Sequence, residues 1–245
     1  MPLPNRRPVL SLEPVVAPPG MDELPYSFGH NSESELHRYG GELLVTPLRR
    51  HLTERPDIFV GGDMAVYFSA AQTKANDVRG PDVFVVLDAV PKVRKSWVVW
   101  EDLRTPDVVI ELLSPSTERV DRGEKMRIYG RTLKVGEYYL FDVNTGLVEA
   151  WRRDANTGLY TVRNPNEDGS MPCDALGLKL VVWEGVYNQV EAAWLRWATP
   201  DGALIPTDEE RAEAARARAE GERARAEAAE VELAQLRARL AALGL

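Results

Sequence analysis

The sequence predicts an α/β fold in which helices and strands alternate around one sheet, with a separate helix at the carboxyl end. Apolar and β-branched runs separated by turn residues, which are typical of strands, begin after Asp57. Amphipathic segments precede and interrupt these runs, and beyond Pro206 the composition changes to Ala, Arg, Glu and Leu without Pro. With 245 residues, 44% of them hydrophobic, the chain can build one sizeable core and an appendage.

The amino-terminal part is predicted to contain an irregular lead-in followed by one helix. Residues 1–31 are rich in Pro, Gly and polar residues, which favours an extended, irregular segment. From Ser32 onward apolar residues recur at helical spacing, with Ser32 or Ser34 as the N-cap and Glu35 in the first turn. Three residues are expected to weaken or kink this helix: Gly40, Gly41 and Pro47.

The body, residues 32–206, is predicted to be one domain built on a sheet. Strand-like runs lie at residues 57–69, 81–88, 96–103 and 106–114. Residues 121–134 then carry apolar side chains on one side and charges on the other, as a helix would. Further strands are predicted at residues 137–143, 147–154, 159–163 and 176–183.

The tail, residues 207–245, is predicted to be a long helix that forms a coiled coil. Leu233, Leu240, Leu236 and Leu243 fall at the two core positions of a heptad, which Ala residues and Glu222 continue toward the amino end. This pattern predicts a homo-oligomer, most simply a homodimer, joined through the tail. The alternative is a solvated single helix that Glu and Arg side chains stabilise.

Composition limits the class of protein. No apolar run approaches the roughly 20 residues of a membrane-spanning helix, and the Pro-rich start lacks the apolar centre of a secretion signal. The single Cys173 excludes an internal disulfide, so a cytoplasmic protein is expected. The net charge of −8 argues against binding nucleic acid by bulk electrostatics, although local Arg and Lys clusters leave a basic face open.

Two carboxylates in strand-like runs are candidate metal ligands. Glu111 lies inside an apolar run, where an ionised carboxylate is costly unless a cation or hydrogen-bond donors meet it, and Asp82 opens another. If these strands pair, both acids can converge on Mg²⁺ or Mn²⁺. Such an ion, with a backbone carbonyl and waters completing its shell, could polarise a phosphate and activate water.

A lysine on the following helix is the candidate ammonium group. Lys125 shares one helix face with Asp121 and Tyr129, since the three recur at i, i+4 and i+8. Other interpretations stay open: Lys125 as a solvated charge, and Glu111 paired with an arginine instead of a metal. Asp107 lies on the Glu111 strand face and could replace Asp82 as a ligand, or serve as a turn residue. The three histidines, His30, His37 and His51, lack metal-ligand spacing.

Four stretches together resemble the Uma2 family of endonucleases, which have the PD-(D/E)XK restriction-endonuclease-like fold. They are PDVFVVLD, PDVVIELLSPST, the spaced Asp121, Lys125 and Tyr129, and GEYYLFDV. The resemblance implies that residues 32–206 form a nuclease domain with a central mixed sheet flanked by helices. It also implies DNA phosphodiester hydrolysis, with Asp82 and Glu111 binding a divalent metal and Lys125 assisting. Glu35, from the first helix, matches an acid that sometimes joins such sites.

One departure from the wider superfamily leaves more than one function open. The usual lysine two residues after the strand acid is replaced by Leu113, so the resemblance assigns its role to Lys125. The leading interpretation is a metal-dependent endonuclease acting on DNA. A second is a catalytically inactive nuclease-fold protein that recruits partners through its coiled coil. A third is a hydrolase that uses Asp82 and Glu111 as general acid and base.

Overall fold

The computed structural model of the protein describes residues 19–20, 23–24, 34–69 and 77–242. The lead-in predicted for residues 1–31 lies almost wholly outside these ranges. The α-helices are α1 (Glu35–His51), α2 (Val99–Asp102), α3 (Glu118–Val120) and α4 (Asp208–Ala242), and two π-helical segments span Asp121–Lys125 and Ile128–Thr132. The strands are β1 (Phe59–Gly62), β2 (Val66–Tyr67), β3 (Val78–Arg79), β4 (Val83–Val86), β5 (Trp97–Val98), β6 (Val108–Leu113), β7 (Glu137–Asp142), β8 (Val148–Arg153), β9 (Tyr160–Val162), β10 (Met171–Cys173), β11 (Leu178–Tyr187) and β12 (Val190–Ala198).

Six strands form a mixed central sheet in the order β1-β4-β6-β7-β8-β9. Strands β6 and β7 are parallel, and the other neighbouring pairs are antiparallel. A parallel pair needs a crossover connection, which α3 and the two π-helical segments supply. All six residues of β6 are buried, as expected for a strand covered on both faces. The predicted α/β class and mixed central sheet are confirmed.

Helix α1 covers one face of the central sheet. Its Leu44 and Leu48 join the core formed by β4 and β6, which includes Val83, Ile110 and Leu112. The Ser34 hydroxyl accepts a hydrogen bond from the His37 N–H, so Ser34 is the N-cap, one of the two residues predicted for that position.

The helix runs unbroken through Pro47, although Gly40, Gly41 and Pro47 were expected to weaken it. Gly40 has a packing reason, because a Cβ there would lie 3.2 Å from Leu112 Cδ1. Tertiary packing against the sheet therefore outweighs the low helix propensity of this stretch.

The crossover segment covers the opposite face of the sheet. Ile128 and Tyr129 pack with Val109, Leu113 and Leu140 in a second core cluster. The alternation of β6 therefore sends Ile110 and Leu112 to the α1 side, and Val109, Glu111 and Leu113 to the crossover side. Glu111 thus enters the layer between the sheet and the crossover segment.

Two smaller sheets complete the body. Strands β10, β11 and β12 form an antiparallel sheet that packs on α1, where the Trp197 indole donates a 2.9 Å hydrogen bond to the Leu44 carbonyl. Strands β3, β2 and β5 form the third sheet. These pieces enlarge the core beyond what the central sheet and α1 provide.

Two predicted elements differ from those observed. Residues 96–103 are not one strand, because β5 ends at Val98 and α2 follows, closed by Leu103 in the left-handed region with φ +53°. The Asp102 carboxylate, 2.8 Å from an Arg94 guanidinium nitrogen, ties α2 to the preceding loop. The helix predicted for residues 121–134 is present, but much of its backbone is π-helical. The Leu133 N–H, for example, is bonded to the Ile128 carbonyl, five residues back.

Helix α4 is attached firmly where it begins. The Thr207 N–H donates to Glu210 Oε2 and the Glu210 N–H donates to Thr207 Oγ1, which is a capping box. The Glu210 carboxylate also receives two hydrogen bonds from the buried Arg196 guanidinium, at 2.9 and 2.6 Å. The predicted long helix is therefore present. Beyond its first turn the side chains of residues 212–220 and 222–239 are exposed, and the coiled-coil pairing stays a prediction.

Within the part of the chain that the structure describes, no helix has both the length and the apolar character needed to cross a membrane.

Candidate active site

Strands β4 and β6 bring Asp82 and Glu111 side by side. The two strands are antiparallel, and Val83 pairs with Ile110. One residue back from Val83 and one residue on from Ile110, Asp82 therefore lies opposite Glu111. The Asp82 N–H donates to Glu111 Oε2 at 3.4 Å, and the Leu112 N–H donates to Asp82 Oδ2 at 2.6 Å. The two predicted acids therefore meet where β4 begins, beside the middle of β6.

The crossover segment supplies three side chains to the same place. The Lys125 ammonium nitrogen lies 3.1 Å from Glu111 Oε2 and 2.8 Å from Asp121 Oδ1. The Tyr129 hydroxyl donates a 2.7 Å hydrogen bond to Glu111 Oε1. The side chains of Asp121, Lys125 and Tyr129 thus lie on one face of the segment, as their spacing predicted, and form one group with Glu111.

Tyr138, on β7 of the central sheet, holds the crossover segment against the sheet. Its hydroxyl donates a 2.9 Å hydrogen bond to the backbone carbonyl of Asp121, and its ring packs 5.3 Å from that of Tyr129, centroid to centroid. The widened π-helical turn begins at Asp121, and such turns often lie at functional sites in proteins. The position of Lys125 is therefore set by the strand beneath it as well as by its own helix.

His37 joins the site although no sequence motif marked it. Its Nε2 lies 3.0 Å from Asp82 Oδ1, and the side chain is nearly buried. A signal was present in the sequence, because His37 lies on the same helix face as Gly40, Leu44 and Leu48, which pack on the sheet. The residue was a helix residue, as predicted, but on the buried face.

The site contains more acids than cations, and burial amplifies their interaction. Burial, reinforced by the carboxylates of Asp82 and Asp121, raises the pKa of Glu111 to about 8 despite the opposing effect of Lys125. Burial acts to lower the pKa of Lys125, but the carboxylates of Glu111 and Asp121 outweigh it and raise that pKa. For Asp82 burial acts upward, yet the contact with His37 brings the net pKa below its ordinary value.

Comparison with known proteins identifies the family. The model of the Uma2 family, described as "Putative restriction endonuclease", matches residues 31–182, which is more than half of the chain. The chain belongs to the Uma2 family. The match includes α1, the central sheet and every residue of the Asp82–Glu111 site described above.

Two individual proteins are similar to this Uma2 chain. It is 30% identical over 102 residues to the uncharacterized protein slr1290 of Synechocystis, in a match that covers 42% of this chain and 50% of the relative. The chain therefore spans about half the length of that curated relative. It is also similar to the crystal structure of "a putative nuclease belonging to DUF820" from Anabaena variabilis, with a TM-score of 0.44, 16% identity, and coverage of 64% of this chain and 89% of that one.

Two of the predicted supporting acids do not reach the Uma2 site. The side chain of Glu35 is 72% exposed and lies 3.9 Å from Arg38, because a step of two residues turns it about 200° around α1 from buried His37. Asp107 precedes β6, and its Oδ2 accepts a 2.7 Å hydrogen bond from the Leu87 N–H. The Asp107 carboxylate is therefore bonded to the backbone just after β4, and burial raises its pKa.

A divalent metal can be tested against the donors that are present. Among the described residues no three His, Cys, Asp or Glu groups converge as a ready metal cluster. Magnesium, however, is commonly bound through one or two carboxylates, with waters and substrate phosphate oxygens as its other ligands. Asp82 and Glu111 provide two such hard oxygen donors within one hydrogen-bonded group, so the donor chemistry fits this mode.

A cavity leads from the surface to Asp82. It has a volume of about 220 Å³ and lies between α1 and the end of β1 and β4. His37 and Asp82 form part of its wall, together with Arg38, Arg49 and Asp63. The acid pair is therefore reached from solvent on the Asp82 side, whereas Glu111 is fully buried behind it.

Proposed function

We propose that this Uma2 protein is a metal-dependent endonuclease that hydrolyses DNA phosphodiester bonds. Asp82 and Glu111 would bind Mg²⁺ or Mn²⁺, and Lys125 would assist the reaction. The observation that supports this function is the meeting of two strand carboxylates and one ammonium group within hydrogen-bonding distances. Membership of a family described as restriction endonucleases supports DNA as the substrate.

The charge balance of the site favours a bound cation. Asp82, Glu111 and Asp121 surround Lys125, the ammonium group among them, and the pKa of Glu111 is raised chiefly by burial and further by the carboxylates of Asp82 and Asp121. Desolvated carboxylates are stabilised by metal ions as well as by basic side chains. A divalent ion would offset this excess of acids without displacing the backbone donor that holds Asp82.

Each protein group has a distinct task in this proposal. A bound Mg²⁺ would supply Lewis acidity toward a phosphate oxygen and lower the pKa of a water ligand. Tyr129 fixes Oε1 of Glu111, so that Oε2 is directed toward Asp82 and Lys125. The Leu112 N–H fixes Oδ2 of Asp82. Lys125 places a positive charge beside the acids, where it would stabilise negative charge that develops on the phosphate.

We further propose that α4 joins two copies of the chain. Leu233 and Leu236, one at each core position of the heptad, are about half exposed on a helix whose first turn is bound to the body. A coiled coil would bury these side chains and place two active sites on one DNA duplex. The cytoplasmic location expected from the sequence stays a prediction.

A plasmid-nicking assay tests the activity. Supercoiled plasmid should be nicked in Mg²⁺ or Mn²⁺ and left intact in EDTA, and Glu111→Gln or Lys125→Met should abolish nicking. Glu137→Gln is the matched control, because Glu137 is also a buried strand acid that contacts a tyrosine hydroxyl, that of Tyr139, away from the site. It should retain the wild-type rate.

Two outcomes would count against the proposal. Equal nicking by wild type, Glu111→Gln and Lys125→Met would identify a contaminating nuclease as the source. Failure of a folded wild-type protein to cleave plasmid or linear DNA with either metal would overturn the endonuclease proposal. The nuclease-fold interaction protein would then be the better interpretation.

A further inference from the structure

A second concave surface lies on the outer side of the crossover segment. It has a volume of about 410 Å³ and lies between this segment and the β8–β9 hairpin. The residues that matter are three glycines, two arginines and a tyrosine: Gly123, Gly130, Gly158, Arg127, Arg131 and Tyr160. We name this surface the arginine groove.

The two arginines of the groove are not neutralised. Arg127 and Arg131 are exposed, and neither forms an ion pair with any carboxylate in the described part of the chain. Neighbouring arginines behave differently: Arg122 pairs with Glu118 and Glu149, and Arg79 pairs with Glu124. In a protein of net charge −8, adjacent unpaired guanidinium groups form a local positive surface.

A third guanidinium and one acid lie beside the groove. Arg153 donates a 3.0 Å hydrogen bond to the Gly130 carbonyl, which adds a third guanidinium beside the groove. The nearby acid, Asp154, accepts hydrogen bonds from the backbone and hydroxyl of Thr157, at 2.7 and 3.0 Å, within its own turn. Asp154 is not among the residues that line the groove.

Glycines keep the groove open. A Cβ at Gly130 would lie 2.8 Å from the Tyr160 ring, so the segment approaches the hairpin closely there. A Cβ at Gly123 would meet nothing within 4 Å, and Gly158 has φ +69° in the hairpin turn. At Gly123 the backbone is thus exposed one turn before Arg127, where a bulky anion could approach it closely.

The groove and the acid site share their framework. Arg127 and Arg131 follow Lys125 on the same crossover segment. Behind it, the Tyr138 ring lies 5.3 Å from Tyr129 and 6.0 Å from Tyr160, centroid to centroid. Two ring contacts, both made by the buried ring of Tyr138, therefore connect the tyrosine that binds Glu111 to the tyrosine of the groove.

We propose that the arginine groove binds a phosphate group of the DNA backbone, and this inference rests on the proposed function. Guanidinium groups recognise phosphates through paired, charge-assisted hydrogen bonds. Phosphate contacts of this kind fix the position of a duplex without reading its sequence. The groove would explain how an acidic protein retains a nucleic-acid surface.

Salt-dependent binding of a short fluorescein-labelled DNA duplex, measured by anisotropy in EDTA with the full chain, tests the groove. The slope of log affinity against log salt should lose about 0.9 for the one phosphate contact that Arg127→Ala/Arg131→Ala removes. Gly123→Glu places a carboxylate one turn from Arg127 and should also weaken binding, whereas Gly123→Ala should not. The charge-matched control is Arg216→Ala/Arg218→Ala, on α4.

The outcomes separate this inference from the proposed function. If wild type nicks plasmid and the groove variants bind with an unchanged slope, the groove inference is overturned and the endonuclease stands. An equal loss of slope in the α4 control would also overturn it, since bulk charge would explain the effect. Binding with the expected slope change but without nicking supports the groove and rejects hydrolysis. If wild type neither binds nor nicks DNA, both are rejected.

Discussion

The ammonium nitrogen of Lys125 lies 3.1 Å from Oε2 of Glu111, although the acid belongs to strand β6 and the lysine to the crossover segment. Glu111 is fully buried, and the Lys125 side chain is only 17% exposed. Attraction between such charges is strong, but both have lost most of their hydration. The net contribution of the pair to stability is therefore small, whereas removing one partner alone leaves a buried charge unpaired and is costly.

Removing Lys125 alone should destabilise the fold. Lys125→Met leaves Glu111 and Asp121 without their cation, which should lower the free energy of unfolding by about 3–5 kcal/mol. Adding Glu111→Gln should recover part of this loss, giving a coupling of about 0.5–3 kcal/mol in a double-mutant cycle from urea unfolding. Lys125→Met combined with Glu137→Gln should be additive. Additivity in both cycles would contradict a direct Lys125–Glu111 interaction.

Stability of the metal-free protein should depend on pH through Glu111. Its pKa is raised in the folded state to about 8, because burial disfavours the ionised form, whereas the unfolded chain has the ordinary value of about 4.5. The unfolded state therefore releases the proton first, and the Glu111 contribution to stability is lost as pH rises from about 4.5 to 8.

Glu111→Gln keeps the neutral form at every pH and is the direct comparison. Its free energy of unfolding, measured with urea in EDTA, should rise relative to wild type across this interval and level off above it. The Glu137→Gln protein, whose substitution lies outside the site, provides the control. A difference between wild type and Glu111→Gln that does not change with pH would exclude a raised pKa.

His37 is expected to position Asp82 for metal binding. Its Nε2 contacts Asp82 Oδ1 at 3.0 Å, so His37→Leu should release that oxygen and lower Mn²⁺ affinity by about 10–100-fold in calorimetry. His37→Gln can still donate a hydrogen bond and should restore part of the affinity. His51→Gln, at the exposed end of the same helix, should have no effect. Equal affinities in all variants would remove His37 from the site.

Much of the acid pair could be predicted from sequence because local pattern and register determine it. Two apolar strands that each carry an acid, Asp82 at a start and Glu111 in the middle, lead to a paired arrangement if they are neighbours. Lys125 could be predicted because its spacing from Asp121 and Tyr129 survives the change from α-helical to π-helical backbone.

Other features depended on long-range packing. The resemblance implied Glu35 as an acid from the first helix, but it does not reveal which face of α1 meets the sheet. Leu44 and Leu48 decide that face by packing against β6, and His37 lies on it. Helix α2 replaced a predicted strand because Asp102 bonds to Arg94 in an adjacent loop. Periodicity contains neither piece of information, since both depend on which elements become neighbours.

The close pairing of β1 with β4 makes Gly61 sensitive to substitution. Gly61 lies directly opposite Phe84, and a Cβ there would come within 2.3 Å of the aromatic ring. Gly61→Ala should therefore lower the free energy of unfolding by about 1–3 kcal/mol in urea. Gly123→Ala, at an open helical position, should be neutral or raise it by roughly 0.5–1 kcal/mol. Equal stability of both variants would mean that Phe84 moves aside without cost.

A truncation that removes the tail must keep the first turn of α4, which is bound to the body. Arg196 is buried and its guanidinium is bound by Glu210, so deleting residues 207–245 should cost about 1–3 kcal/mol through the lost charge-assisted hydrogen bonds. A chain ending at Arg211 keeps this contact and should unfold at the wild-type temperature. Light scattering on this shorter chain should give somewhat less than half the wild-type mass if α4 forms the dimer, because each monomer also lacks the 34 residues after Arg211. An unchanged mass, with the unfolding temperature retained, would assign oligomerisation to the body or exclude it.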